Sequence, residues 1–166
     1  MTQIQKFSLL YDSDEDRLAW DAEDPQGATT RLWLTQRLCR GLIKALVPML
    51  QQTAQPDLPP QHAATVQSWE QQAAMADFGH VPSVQPSAET VVGLVKAVHI
   101  QPTNGGMNLT FEFGAEESRA VSLAHPAVRQ MLTVLYRLNV AAGWALDLWP
   151  SWIADPITPP PTETVN

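Results

Sequence analysis

Hydrophobic and polar residues alternate along three short segments at the start of the chain, residues 4–11, 17–23 and 29–34. Alternation with a period of two is typical of β-strands that bury one face and expose the other. In the second segment, for example, Leu18 and Trp20 share the face that we predict to be buried. The pattern therefore predicts three consecutive strands that build part of a core.

A helical period replaces this alternation after Thr35, whose hydroxyl group suits the N-cap position of a helix. We predict that Pro48 ends or kinks this first helix near residues 45–47, because proline has no backbone N–H to donate. One apolar stripe follows the helix, formed by Leu38, Cys39, Leu42, Ile43, Leu46, Met49 and Leu50.

The composition changes over residues 53–88, which are rich in Gln, Ala, Pro and Ser. We interpret this segment as a surface excursion rather than as a boundary between two domains. It contains one predicted helix over residues 62–75, with Val66 and Trp69 on one side, between Pro-containing loops.

The second half of the chain repeats the order of strands followed by a helix. Three strands are predicted at residues 90–101, 108–113 and 119–123, and an amphipathic helix runs from Pro126 to about Ala142. We therefore predict an α+β fold, in which an antiparallel sheet of two three-stranded meanders is covered by two amphipathic helices.

The predicted domain covers residues 1–152, and the Pro-rich residues 153–166 form a tail. No signal-peptide pattern is present at the start of the sequence, and no apolar run approaches the roughly 20 residues of a bilayer-spanning helix. We expect a cytoplasmic protein without membrane attachment. The formal net charge of −7 disfavours nucleic acid as a partner.

The acidic turn at residues 12–16 places Asp12, Asp14, Asp16 and Glu23 at positions 1, 3, 5 and 12 of a calcium-binding loop. However, Arg17 occupies the position where that loop requires glycine, and the flanking segments are predicted strands rather than helices. We therefore interpret the turn as the solvated tip of a hairpin.

The sequence contains no recognisable catalytic or metal-binding spacing. The four histidines are far apart, and Cys39 is the single cysteine, which we interpret as a buried hydrophobic residue rather than as a reactive thiol. We predict no catalytic residue, no metal ligand and no cofactor, and we regard an enzymatic role as improbable.

Two groups of residues are candidates for contact with a partner. The first is a basic face of the first helix, opposite its apolar stripe, formed by Arg37, Arg40 and Lys44.

The second group is a cluster of tryptophans beside prolines near the end of the chain, Trp144, Trp149 and Trp152. Tryptophan is enriched at the energetic centres of protein interfaces. These tryptophans either cap the open side of the core or form an exposed patch for self-association or a partner.

Several short runs of the sequence resemble a family of small uncharacterised bacterial proteins. They are Glu15-Asp16-Arg17-Leu18 after Tyr11, Leu32-Trp33-Leu34-Thr35-Gln36-Arg37-Leu38, and Ala142-Gly143-Trp144. The function of that family is not established, so the resemblance implies no catalytic residue here.

The leading hypothesis from the sequence is a non-enzymatic scaffold or adaptor that forms homodimers or binds a protein partner. A second hypothesis is a protein that binds a small molecule or a phosphate-bearing ligand, with possible catalysis, at the basic helix face. A third is a scaffold associated with nucleic acid through the same basic stripe.

Overall fold

A computed structural model of the chain describes residues 1–53, 59–79 and 82–155. Seven strands and four helices are present in these residues. The strands are β1 (Thr2–Gln3), β2 (Lys6–Asp12), β3 (Arg17–Glu23), β4 (Thr29–Leu34), β5 (Val91–Thr103), β6 (Gly106–Phe113) and β7 (Glu117–Ala124). The helices are α1 (Gln36–Thr53), α2 (Pro60–Ala76), α3 (His125–Ala141) and α4 (Ser151–Ala154).

The strands form one sheet in the order β1-β7-β6-β5-β4-β3-β2. The α+β class is confirmed, but the prediction of an antiparallel sheet made of two three-stranded meanders is wrong. The sheet is mixed, because β4 pairs with β5 in parallel and β1 pairs with β7 in parallel. The physical reason for the first parallel pair is the crossover through α1 and α2, which returns the chain to the end of the sheet where β4 began.

The sheet curls until its two edges approach each other at the N-terminal segment. The Ile4 N–H donates to the Ala120 carbonyl of β7 at 2.7 Å, and the Gln5 N–H donates to the Glu23 carbonyl of β3 at 3.0 Å. Two consecutive residues thus connect opposite edges of one sheet. Across the interior, the rings of Trp20 and Phe111 stack with their centroids 4.5 Å apart.

Helices α1 and α3 bury their apolar faces in this core. The buried residues of α1 confirm most of the predicted stripe; they are Cys39, Leu42, Ile43, Leu46, Val47 and Leu50. The expectation that α1 ends near residues 45–47 is wrong, because the helix continues to Thr53. Pro48 lies on the exposed side of the helix, where water can bond the Lys44 carbonyl that lacks a helical partner.

The excursion contributes a packed helix to the structure. Helix α2 lies on α3 and buries Gln67, Ser68, Gln71 and Ala74, whereas Trp69 is 64% exposed. At the end of the described chain, α4 extends past the predicted boundary at residue 152 and buries Ile153. Residues 54–58, 80–81 and 156–166, which include most of the predicted tail, lie outside the described residues.

Candidate protein-binding site

The basic face predicted on α1 meets the C-terminal segment of the chain. Arg40 donates two hydrogen bonds to the Asp147 carboxylate, at 2.7 and 2.9 Å, while Arg37 and Lys44 are exposed on the same helix. The hydrogen bond from Arg40 lowers the pKa of Asp147, and the charge of Lys44 contributes to the same shift. One of the three predicted basic residues is therefore already neutralised by a carboxylate of the chain itself.

The three predicted tryptophans lie in the core of this structure. Trp144, Trp149 and Trp152 are 7%, 8% and 3% exposed. Trp144 packs edge-on against Tyr11 near the end of β2, and Trp149 packs edge-on against Tyr136 of α3. Their role as partner contacts stays a prediction, and binding through the ring faces requires this segment to leave the core.

The acidic turn uses its carboxylates to hold local structure. Asp12 accepts hydrogen bonds from the backbone N–H groups of Asp14 and Glu15, both at 3.0 Å. Asp16 accepts from the Tyr11 hydroxyl at 2.9 Å and from the Trp144 indole N–H at 3.0 Å. Within residues 1–53, 59–79 and 82–155, no three acidic, histidine or cysteine side chains are grouped closely enough to hold a metal ion.

Cys39 is completely buried in α1, and burial raises the pKa of its thiol to about 12. We expect the folded protein to resist alkylation by iodoacetamide at pH 8, where roughly one such thiol in ten thousand is ionised. Mass spectrometry should find Cys39 modified rapidly only in denaturant. Equal rates with and without denaturant would contradict this burial.

A buried polar network fixes α2 on α3 and was not predicted from the sequence. The Arg129 guanidinium is 2% exposed, donates to Gln67 Oε1 at 2.7 Å, and forms an ion pair with Glu70. The Gln71 amide donates in turn to the Arg129 carbonyl at 3.1 Å. Burial lowers the pKa of Arg129, and the charge of Glu70 opposes that shift.

A cleft of about 710 Å³ opens where the curled sheet fails to close, between β2 and α3. We call it the seam groove. Residues 5–9 of the β2 segment form its strand wall. Its helix wall is formed by Ala127, Gln130, Met131 and Val134, and the other lining residues are Glu23, Phe78, Gly79 and Leu123.

The seam groove opens onto the backbone edge of β2. Phe7 and Leu9 lie on the inner face of β2, whereas Lys6 and Ser8 lie on its outer face, and all of them line the groove. A cleft that reaches both faces of a strand must pass its edge. In the described part of the chain β2 ends the sheet, so no further strand pairs with that edge.

The predicted partner residues do not line this groove, and its own residues were not recognised from the sequence. The alternation over residues 4–11 indicated that Phe7 and Leu9 face inward, but it did not indicate that a gap separates α3 from β2. The signal that was available is Phe78, a large apolar residue in a Gly- and Pro-containing loop, which is 44% exposed.

No protein-family model, curated protein or solved structure matches this chain. Among the described residues, no helix combines the length and hydrophobicity needed to cross a bilayer.

Proposed function

We propose that this protein is a non-enzymatic scaffold or adaptor that binds an extended segment of a protein partner in the seam groove. One observation carries the proposal: the edge of β2 has no neighbouring strand and borders a cleft with an apolar helix wall. Strand addition to a free sheet edge is a common mode of peptide recognition, with backbone hydrogen bonds for affinity and side-chain pockets for specificity.

The backbone of β2 has donors on the groove side. Lys6 is paired directly with Glu23 of β3, and the Asp24 N–H donates to Ala28 rather than to Gln5, so Lys6 and Glu23 form a hydrogen-bonded pair of the antiparallel ladder. Since successive N–H groups point to opposite sides of a strand, the N–H of Ser8 also faces β3, and those of Phe7 and Leu9 face the groove. A partner strand would accept hydrogen bonds from these two groups.

The groove walls favour an apolar segment. Met131 and Val134 on α3 face Phe7 and Leu9 on β2. A partner side chain placed between these two walls would be removed from water on both of its sides. The groove is within the size range of sites that enclose drug-sized groups. A partner segment with apolar side chains at alternate positions fits this arrangement best.

The basic face of α1 is a weaker candidate for the binding surface. Asp147 already occupies the guanidinium of Arg40, so an anionic ligand would have to displace a bidentate ion pair. The proposal therefore places the contact on β2 and α3, and not on Arg37, Arg40 and Lys44.

A peptide selection tests the proposal. Random dodecapeptides displayed on phage are selected on the full chain, and the strongest binder is synthesised with a fluorophore for anisotropy titration. We expect Val134→Lys to weaken this peptide more than about tenfold, because it places a charge on the apolar wall. Val140→Lys is the matched control, since Val140 is 50% exposed on the same helix and lies outside the groove.

A second pair of variants tests strand addition itself. Leu9→Pro removes a groove-side N–H, and we expect it to bind the peptide about fivefold more weakly than Leu9→Ala does. Leu9→Ala is the matched control, because it shortens the same side chain but keeps that N–H. The proposal fails if no peptide is selected, or if the selected peptide binds Val134→Lys as tightly as the original chain and Leu9→Pro as tightly as Leu9→Ala.

A further inference from the structure

The outer face of the sheet carries a second surface, unrelated to the seam groove. Four apolar side chains stand in register across four neighbouring strands. Leu10 pairs with Ala19, Ala19 with Trp33, and Trp33 with Leu94. We call these four residues the outer row. At the strand spacing of about 4.8 Å, the outer row extends roughly 14 Å across the sheet.

Both ends of the outer row are exposed where an ordinary sheet face would be polar. Leu10 and Leu94 are 36% and 43% exposed, and Val92 next to Leu94 on the same face is 60% exposed, whereas Ala19 within the row is fully buried. The outer face of β5, β6 and β7 provides an internal comparison. Most positions there are polar, namely His99, Gln101, Asn108, Thr110 and Ser122, and the apolar ones include the small residues Ala97 and Ala120. The large apolar side chains of the described outer face are therefore grouped around the outer row.

The protein itself covers one flank of the outer row. The Val84 N–H donates to Ser8 Oγ at 3.1 Å, and Thr90 contacts Thr29 at 2.5 Å, so residues 82–90 cross the outer face from β2 to β4. Beneath this segment Arg31 holds Asp21 through two hydrogen bonds of 2.7 and 2.8 Å. The opposite flank of the outer row, toward the acidic turn, is left open.

We propose that a second copy of this chain covers the outer row, in a dimer that packs sheet on sheet. This inference does not depend on the proposed peptide binding. A twofold axis parallel to the strands, between β3 and β4, brings Leu10 of each copy against Leu94 of the other. The Trp33 rings of the two copies then lie beside the axis, whereas Ala19 is fully buried within its own chain and makes no contact with the second copy.

The charges around the outer row match the same twofold axis. The acidic turn, residues 12–16, follows Leu10 at the end of β2, and exposed Lys96 follows Leu94 on β5. The strand register puts both at the same end of the row. Rotation therefore places the acidic turn of one copy over Lys96 of the other, twice per dimer. This local complementarity opposes the repulsion between two chains of net charge −7.

Sedimentation velocity over a range of concentrations up to about 1 mM, where weak contacts also associate, tests the dimer. We expect the original chain to dimerise, and Leu94→Glu to raise its dissociation constant more than about tenfold. Ser122→Glu is the matched control, because it adds the same charge to the polar half of the outer face. Circular dichroism of each variant checks that it is folded.

A charge exchange separates this dimer from any other self-association. Lys96→Glu should weaken the dimer at low salt, and combining it with Asp14→Lys should restore it, because the pair of opposite charges is then reversed. A chain that remains an 18.3 kDa monomer at the highest concentration overturns the proposal. A dimer that Leu94→Glu leaves unchanged, or that the charge exchange fails to restore, overturns it too.

Discussion

A chain shortened after Ala142 is expected not to fold, because the missing segment supplies part of the core. Trp144, Trp149, Trp152 and Ile153 are all buried, and truncation of one buried tryptophan to alanine typically costs about 3–5 kcal/mol. Removing all four exceeds the whole stability of most domains, about 5–15 kcal/mol. The shortened chain should show no cooperative thermal transition by circular dichroism.

Point variants separate this effect from truncation in general. Trp152→Ala should lower the free energy of unfolding by about 3–5 kcal/mol in urea titrations, whereas Leu146→Ala, at a residue 39% exposed, should change it by less than about 1 kcal/mol. A shortened chain with native near-ultraviolet dichroism and a cooperative transition would contradict the core role of these tryptophans. A shortened chain that no longer captures a partner therefore gives no evidence that the tryptophans contact that partner.

The local elements were predictable because short-range patterns determine them. In β3 Leu18 and Trp20 lie in the core as their alternation predicted, although Ala19 and Asp21 on the opposite face are buried as well. The stripe on α1 identified the helix in the same way. Sheet order was not predictable, since the parallel pairing of Thr30 with Val91 depends on how α1 and α2 pack between them.

The outer row was hidden by its sequence context. Trp33 stands between Leu32 and Leu34, so three consecutive apolar residues mask the alternation that would have shown an apolar outer face. On β5, a bulge between Val95 and Ala97 changes which residues face inward, so Leu94 could not be assigned to a face. Only the register of four strands brings the row together.

The seam groove was unpredictable for a related reason. Its two walls, Phe7 on β2 and Met131 on α3, lie near opposite ends of the chain, and each has an apolar pattern that indicates complete burial. The groove exists because α3 fills the space between the two sheet edges incompletely. How completely the helix fills that space depends on side-chain packing, and neither the strand period nor the helical period of the sequence indicates it.

The two proposed surfaces use different parts of β2 and are compatible with each other. The seam groove uses the strand edge at residues 5–9, whereas the outer row begins at Leu10 on the outer face. A sheet-on-sheet dimer would leave both grooves open. The assembly would then present two peptide sites, and a partner with two suitable segments would bind with higher apparent affinity than one site allows.

The Arg129 network gives the second large expected effect. Arg129→Ala should lower the free energy of unfolding by about 3–5 kcal/mol, because it leaves the Gln67 side chain buried without its donor and removes the cation from above the Trp152 ring. Urea unfolding followed by tryptophan fluorescence measures this change.

Matched variants show whether that loss belongs to the buried network. Arg137→Ala removes an exposed arginine from the same helix and should change the free energy of unfolding by less than about 0.5 kcal/mol. Glu70→Gln should cost about 1 kcal/mol or less, since the Glu70 side chain is 45% exposed and water can replace the ion pair. Hydrogen exchange in Arg129→Ala should accelerate more in α2 than in α1, because α2 is bound to α3 largely through these polar contacts. Equal acceleration in both helices, or an Arg129→Ala variant as stable as the original chain, would mean that apolar packing alone holds α2 in place.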